Sequence, residues 1–245
     1  MALITRVSIR RGPSPDRDQI ELRTDSGLTG RGEGLWGEQA LRRSPELVLG
    51  RSPFEMEAIF DDIAALSGET PGGLDIALWD LAAGMLARPV REIFGKIYRR
   101  QVAVRAFPHS EFLVEPLPAS DLDGYRRLKG TSAVPIAVGP AFPFDALVRD
   151  FVPNELADLV VPDIARCGLT GLRRLAYYCW VFHVRLAVAC SGSARSTEAA
   201  IQAACCFPPV TSALAAPEPF VAVPEDPGPG AQPLETAEPD IVLGA

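Results

Sequence analysis

The stretch from Leu156 to Ser193 constrains the fold more than any other part of the chain. Ala157-Asp-Leu-Val-Val-Pro-Asp163 is a short, continuous apolar run that ends in a carboxylate. Gly168-Leu-Thr-Gly-Leu172 then opens a helix, with Leu172, Leu175, Ala176 and Cys179 recurring at helical spacing. Arg185-Leu-Ala-Val-Ala-Cys190 is a second apolar run, closed by Ser191-Gly-Ser193. Apolar runs without alternation are the pattern of parallel strands buried on both faces. Strand, crossover helix and parallel strand make the right-handed unit from which α/β sheets and barrels are built. In such folds the chemistry gathers at the carboxyl ends of the strands. Here those ends carry Asp163 and Arg166, and Ala189 and Cys190.

The segments before this unit follow two different grammars. Ile4, Val7 and Ile9, then Ile20 and Leu22, alternate with polar residues across turns rich in Gly and Pro, which predicts an antiparallel strand pair or meander. Pro53 opens a helix through Ile63. Thr70-Pro71 predicts a helix start, with a hydroxyl at the cap and proline at the first helical position. That helix carries a wide apolar stripe of Leu74, Ala77, Leu78, Leu81 and Met85. Residues 1–100 therefore read as an α+β domain. Beyond Arg100, apolar strands alternate with helices, one of them starting at Asp121 with Ser120 as its cap. Seven prolines between Pro217 and Pro239 mark the tail, residues 223–245, as extended, wrapping or partly disordered rather than a domain of its own.

Composition narrows the function classes. A net charge of -7 argues against a general nucleic-acid binder. No apolar stretch approaches the ~18 residues needed to span a bilayer, and the expected address is cytoplasmic. Five cysteines without framework spacing speak against a secreted disulfide scaffold or a zinc site. Only two lysines are present, Lys96 and Lys129, so nearly all the basic charge is arginine.

Several segments carry a family resemblance. Thr24-Asp-Ser-Gly-Leu-Thr-Gly-Arg-Gly-Glu33, Gly73-Leu-Asp-Ile-Ala-Leu-Trp-Asp-Leu-Ala82, Glu115-Pro-Leu-Pro118, Pro135-Ile-Ala-Val-Gly139, Val161-Pro-Asp-Ile-Ala-Arg-Cys-Gly168 and Pro227-Gly-Pro-Gly230 follow one another in order. Together they resemble the mandelate-racemase and muconate-cycloisomerase branch of the enolase superfamily, nearly end to end. The resemblance implies an N-terminal α+β capping domain and a (β/α) barrel. It also implies Mg²⁺ held by three carboxylates, with a Lys-x-Lys and a histidine moving the α-proton.

The departures from that pattern decide the functional expectation. No Lys-x-Lys occurs anywhere. The segment that would carry the first carboxylate is absent, Val114-Glu115-Pro116 replaces the expected Glu-Glu-Pro, and Gly139-Pro140 replaces the expected Gly-Glu. Ala189 aligns with the histidine. The roughly 145 residues after Arg100 are too few for a full barrel, which needs ~200. Only Pro108 to Glu111 separate the runs ending at Phe107 and beginning near Phe112, whereas parallel neighbours need a crossover of about a dozen residues. About two βα units are therefore expected to be missing, leaving an open barrel of about six strands over residues 101–222. Open edges predict a homodimer.

The site expectation follows. Glu115, Asp163 and His109 are the candidate acid and base groups, and Arg166, Cys190, Ser191 and Ser193 the candidate substrate-binding groups. No metal and no cofactor are expected. Each candidate has a plainer reading: Asp163 as a loop-bonding acid or partner of Arg166, Cys190 as an inert buried thiol, His109 as an exposed loop side chain. The function expected is a metal-independent isomerase, lyase or cyclase acting on a small organic acid or polyketide-like substrate. The alternative is a non-catalytic, dimeric binding or scaffolding protein.

Overall fold

A computed structural model describes residues 2–105, 111–190, 194–214, 221–223, 225, 228 and 238–244. The chain begins with three antiparallel strands, β1 (Ile4–Arg10), β2 (Gln19–Thr24) and β3 (Thr29–Glu33). Val7 lies opposite Leu22 and Ile9 opposite Ile20, so the alternating apolar residues form one buried face. Four helices follow: α1 (Glu38–Arg43), α2 (Met56–Ser67), α3 (Gly72–Leu86) and α4 (Val90–Phe94). Ser52 and Glu55 form a capping box over the single 3-10 turn that leads into α2. α3 packs on β3 so closely that a Cβ at Gly32 would stand 1.9 Å from the Gly73 carbonyl oxygen. Its stripe is wider than the periodicity predicts, because Leu74, Ile76, Leu78 and Trp79 are all buried, on different sides of the helix.

The second half carries β4 (Gln101–Val102), β5 (Val104–Arg105), β6 (Leu113–Val114), α5 (Leu122–Thr131), β7 (Ile136–Val138) and α6 (Phe144–Ala146). β8 (Leu159–Val160), α7 (Ile164–Val181), β9 (Arg185–Ala189), α8 (Ala194–Cys206) and β10 (Val210–Leu214) continue it. Two short strands, β11 (Val221–Ala222) and β12 (Ile241–Gly244), complete the described elements. β5, β10, β9, β8, β7 and β6 form one six-stranded sheet in that order, with every pairing parallel.

β5 and β6 follow one another in sequence yet form the two opposite edges of this sheet. The architecture is therefore an α+β cap on a truncated, open (β/α) barrel. A connection spanning residues 106–112 reaches about 25 Å when extended. That is enough to cross the ~14 Å that two absent strands would have filled.

Two local expectations change. Thr70 does not cap α3: its hydroxyl donates to the Arg166 carbonyl at 2.8 Å. The amides of Gly73 and Leu74 at the start of α3 donate instead to the Leu35 carbonyl, at 2.6 and 3.2 Å. At α5 the cap is Asp121, which accepts from the Gly124 amide at 2.8 Å, rather than Ser120. The end of the tail wraps back onto the first domain, where β12 pairs antiparallel with β1 and adds a fourth strand to the cap sheet.

Candidate functional site at the strand ends

Asp163 follows β8 and serves as the N-cap of α7, its Oδ1 accepting from the Ala165 amide at 3.0 Å. It also forms an isolated parallel bridge with Ala189 at the end of β9. The acid thus sits directly beside the position that the resemblance assigns to a histidine. One turn into α7, Arg166 is exposed, and its guanidinium forms no ion pair among the described residues, Asp163 included. The two side chains share a cleft of about 290 Å³ between the cap and the carboxyl ends of β7 and β8.

The cleft has an apolar wall. Leu35 comes from the cap, while Phe142, Phe144 and Leu147 come from the segment after β7. Gly139, Pro162 and Cys167 also line it, as does Thr70, whose hydroxyl donates to the Arg166 carbonyl. The Cys167 thiol is fully buried; burial first, then the charges of Asp163 and Asp75, push its pKa well up, so it stays protonated. A second cleft of about 620 Å³ on the cap side is lined by Arg11, Trp36 and Arg42. Leu35, Glu69 and Arg166 line both clefts, and Arg166 stands where they meet.

Glu115 ends β6 with a left-handed backbone (φ 45°). Its Oε1 accepts from the amides of Gly139 and Ala141, each at 3.0 Å. Glu115 does not line the cleft; it holds the loop that does. Cys190 is half-buried at the end of β9, with Sγ 3.9 Å from the Val188 carbonyl oxygen, and it lies outside the cleft lining. His109, Ser191 and Ser193 lie outside the described residues. Asp163 and Arg166, both named from the sequence, line one cleft together with Thr70, Leu35 and Glu69, which the sequence did not single out as site residues. Those residues belong to the cap and come to the cleft only through tertiary packing.

A hard divalent cation needs several oxygen ligands converging on one point. Among the described residues no three His, Cys, Asp or Glu side chains gather in that way. At the strand ends, Glu115 already holds two amides through Oε1, Gly139-Pro140 supplies no carboxylate, and Asp163 is a single acid. This donor set does not fit Mg²⁺.

Residues 100–237 match the family model described as enolase C-terminal domain-like. D-xylonate dehydratase from Haloferax volcanii is 27% identical over 110 residues, covering 40% of this chain and 27% of that protein. The chain therefore spans about a quarter of the length of that curated relative. A member of the enolase superfamily from Salmonella Typhimurium superposes with a TM-score of 0.80 at 15% identity, covering 99% of this chain and 100% of that one. N-succinyl Arg/Lys racemase from Bacillus cereus superposes with a TM-score of 0.78 at 15% identity, covering 94% of each chain. At such identities the structural likeness speaks to the fold alone.

Proposed function

The chain belongs to the enolase C-terminal domain-like family, and from that premise we propose that it is a metal-independent isomerase, lyase or cyclase. Its substrate is a small organic acid or polyketide-like intermediate of specialised metabolism. The observation that carries this reading is the cleft at the strand ends, which is open and holds one acid and one arginine against an apolar wall. A fold kept only as a scaffold has no need of that space.

In this reading Arg166 binds the substrate carboxylate through its planar fork of donors. Asp163 is the group that takes or gives the proton, its position fixed by the Ala165 amide. Leu35, Phe142 and Phe144 exclude water from the reacting carbon. Glu115 shapes the cleft through Gly139 and Ala141, and its own acid-base role is the subordinate possibility. His109, Ser191 and Ser193 stay candidates on sequence position, and Cys190 on its place at a strand end. The protein acts in the cytoplasm as a homodimer, because the open edges β5 and β6 call for cover. A monomer by light scattering at micromolar concentration counts against that.

The alternative is a dimeric binding or scaffolding protein without catalysis. It is favoured by the tethering of Glu115 to two backbone amides and by an alanine, where the resemblance implies a histidine, at the bridge to Asp163. A strain lacking the gene should accumulate an intermediate that the purified protein converts in EDTA. Asp163→Asn should lower kcat, and Arg166→Gln should chiefly raise KM. Binding of the accumulated compound without turnover supports the alternative, and restoration of turnover by Mg²⁺ alone refutes the metal-independent reading.

A further inference from the structure

At the amino-terminal end of the parallel strands, opposite the Asp163–Arg166 cleft, lies a separate cavity of about 440 Å³. Its lining includes Arg91, Tyr98, Arg99, Arg100, Val223 and Glu225. Three guanidiniums thus face one carboxylate, in a chain whose net charge is -7. Outside this lining, Lys96 holds its Nζ 4.5 Å from the centre of the Tyr98 ring.

The arginines are held by different means. Arg91 is largely buried, donates to the Val223 carbonyl at 3.2 Å, and stands 3.9 Å from the carboxylate of Glu225. Arg99 donates to the carbonyls of Ala204, Phe207, Pro208 and Val210, which close the end of α8 and the start of β10. Carbonyl dipoles fix a guanidinium without cancelling its charge. A guanidinium has five N–H donors. The Nε–H of Arg99 and one N–H on Nη2 have no acceptor among the described residues. Arg100 is exposed and forms no ion pair among the described residues. Charged donors around a cavity of ligand size, two of them held by backbone carbonyls, with the Tyr98 ring and Ile97 as an apolar side, match a tetrahedral anion carried on an organic body.

We propose that this cavity binds a small phosphate monoester, with the phosphate on Arg91, Arg99 and Arg100 and the organic part against Tyr98 and Ile97. The test is calorimetric titration of the full chain at low ionic strength with glucose 6-phosphate and, separately, with inorganic phosphate. Saturable binding is expected, tighter for the ester, and weakened by added KCl. Arg100→Gln, a change at an exposed side chain, should weaken it about tenfold or more. Arg166→Gln, in the strand-end cleft, should leave it unchanged. No saturation by about 10 mM ester overturns the proposal, since binding that weak is under 3 kcal/mol. Equal affinity for phosphate and ester, binding retained in Arg100→Gln, or binding lost in Arg166→Gln would overturn it as well.

Discussion

Asp75 and Thr170 are joined by two hydrogen bonds across the boundary between cap and barrel. The Thr170 amide donates to Oδ2 of Asp75 at 2.8 Å, and its hydroxyl donates to Oδ1 at 2.6 Å. Trp79 in turn donates its indole N–H to the Thr170 hydroxyl at 2.9 Å. α7 is interrupted at Gly168, so the helix restarts there, and an acid from α3 caps the restarted helix.

Asp75 is fully buried, and this raises its pKa from 3.8 to about 7; the bonds from Thr170 and Leu169 and the charge of Arg174 oppose the shift without winning. An acid whose folded-state pKa is raised keeps its proton in the native chain after the unfolded chain has lost it. Its contribution to stability therefore falls as pH rises from 3.8 to about 7, and is level above that window. Asp80, pushed up to about 6 by burial, acts in the same direction. Thermal unfolding of the native chain and of Asp75→Asn between pH 5 and pH 8 separates the two acids. The native chain should lose more of its Tm across the range than the variant does. Parallel curves would exclude a titrating Asp75.

Gly168 should tolerate no side chain. Its φ is +65°, and a Cβ there would meet Oδ2 of Asp75 at 2.5 Å and Cβ of Asp75 at 2.8 Å. Strain in the left-handed region and a buried clash with a fixed carboxylate add up. Gly168→Ala is expected to cost about 2–4 kcal/mol in denaturant unfolding. Gly84→Ala serves as the control: its Cβ meets nothing within 4 Å and its helical backbone favours alanine.

The legible parts of this fold were those that a short stretch of chain decides by itself. The missing βα units could be read from four residues, Pro108 to Glu111, because no parallel crossover is that short, and β5 and β6 do stand at opposite edges. Asp163 and Arg166 could be placed in one site because three positions of one helix start separate them. Thr70 was misread as a cap because its hydroxyl bonds a carbonyl 96 residues away. The tethering of Glu115, a candidate acid or base on sequence, was not legible because the amides it holds lie 24 and 26 residues on, beyond the next strand. The arginine cavity at the other end of the sheet gave no sequence signal, since Val223 and Glu225 reach Arg91 only in the folded chain.

Added Mg²⁺ should not stabilise the protein. A cation held in the native state at one hundred times its Kd would add about 2.7 kcal/mol and raise Tm visibly. The strand-end donors do not fit such an ion, so the Tm in millimolar MgCl₂ is expected to match that in EDTA. A concentration-dependent rise that Asp163→Asn abolishes would return the metal to the site.

Two variants of Glu115 distinguish a residue that shapes the cleft from one that handles protons. Glu115→Gln keeps an oxygen able to receive the Gly139 and Ala141 amides, whereas Glu115→Ala leaves both without that acceptor. If the side chain acts by holding the loop, the alanine variant should lose about 1–3 kcal/mol of stability, and its affinity for cleft ligands should weaken. The glutamine variant should remain close to the native chain in both respects, with an unchanged pH profile. An acid or base at this position gives the opposite ordering, because glutamine cannot exchange a proton at working pH and turnover would fall as far as in the alanine variant. Steady-state kinetics of the two variants, read beside their unfolding curves, therefore assigns Glu115 to one role.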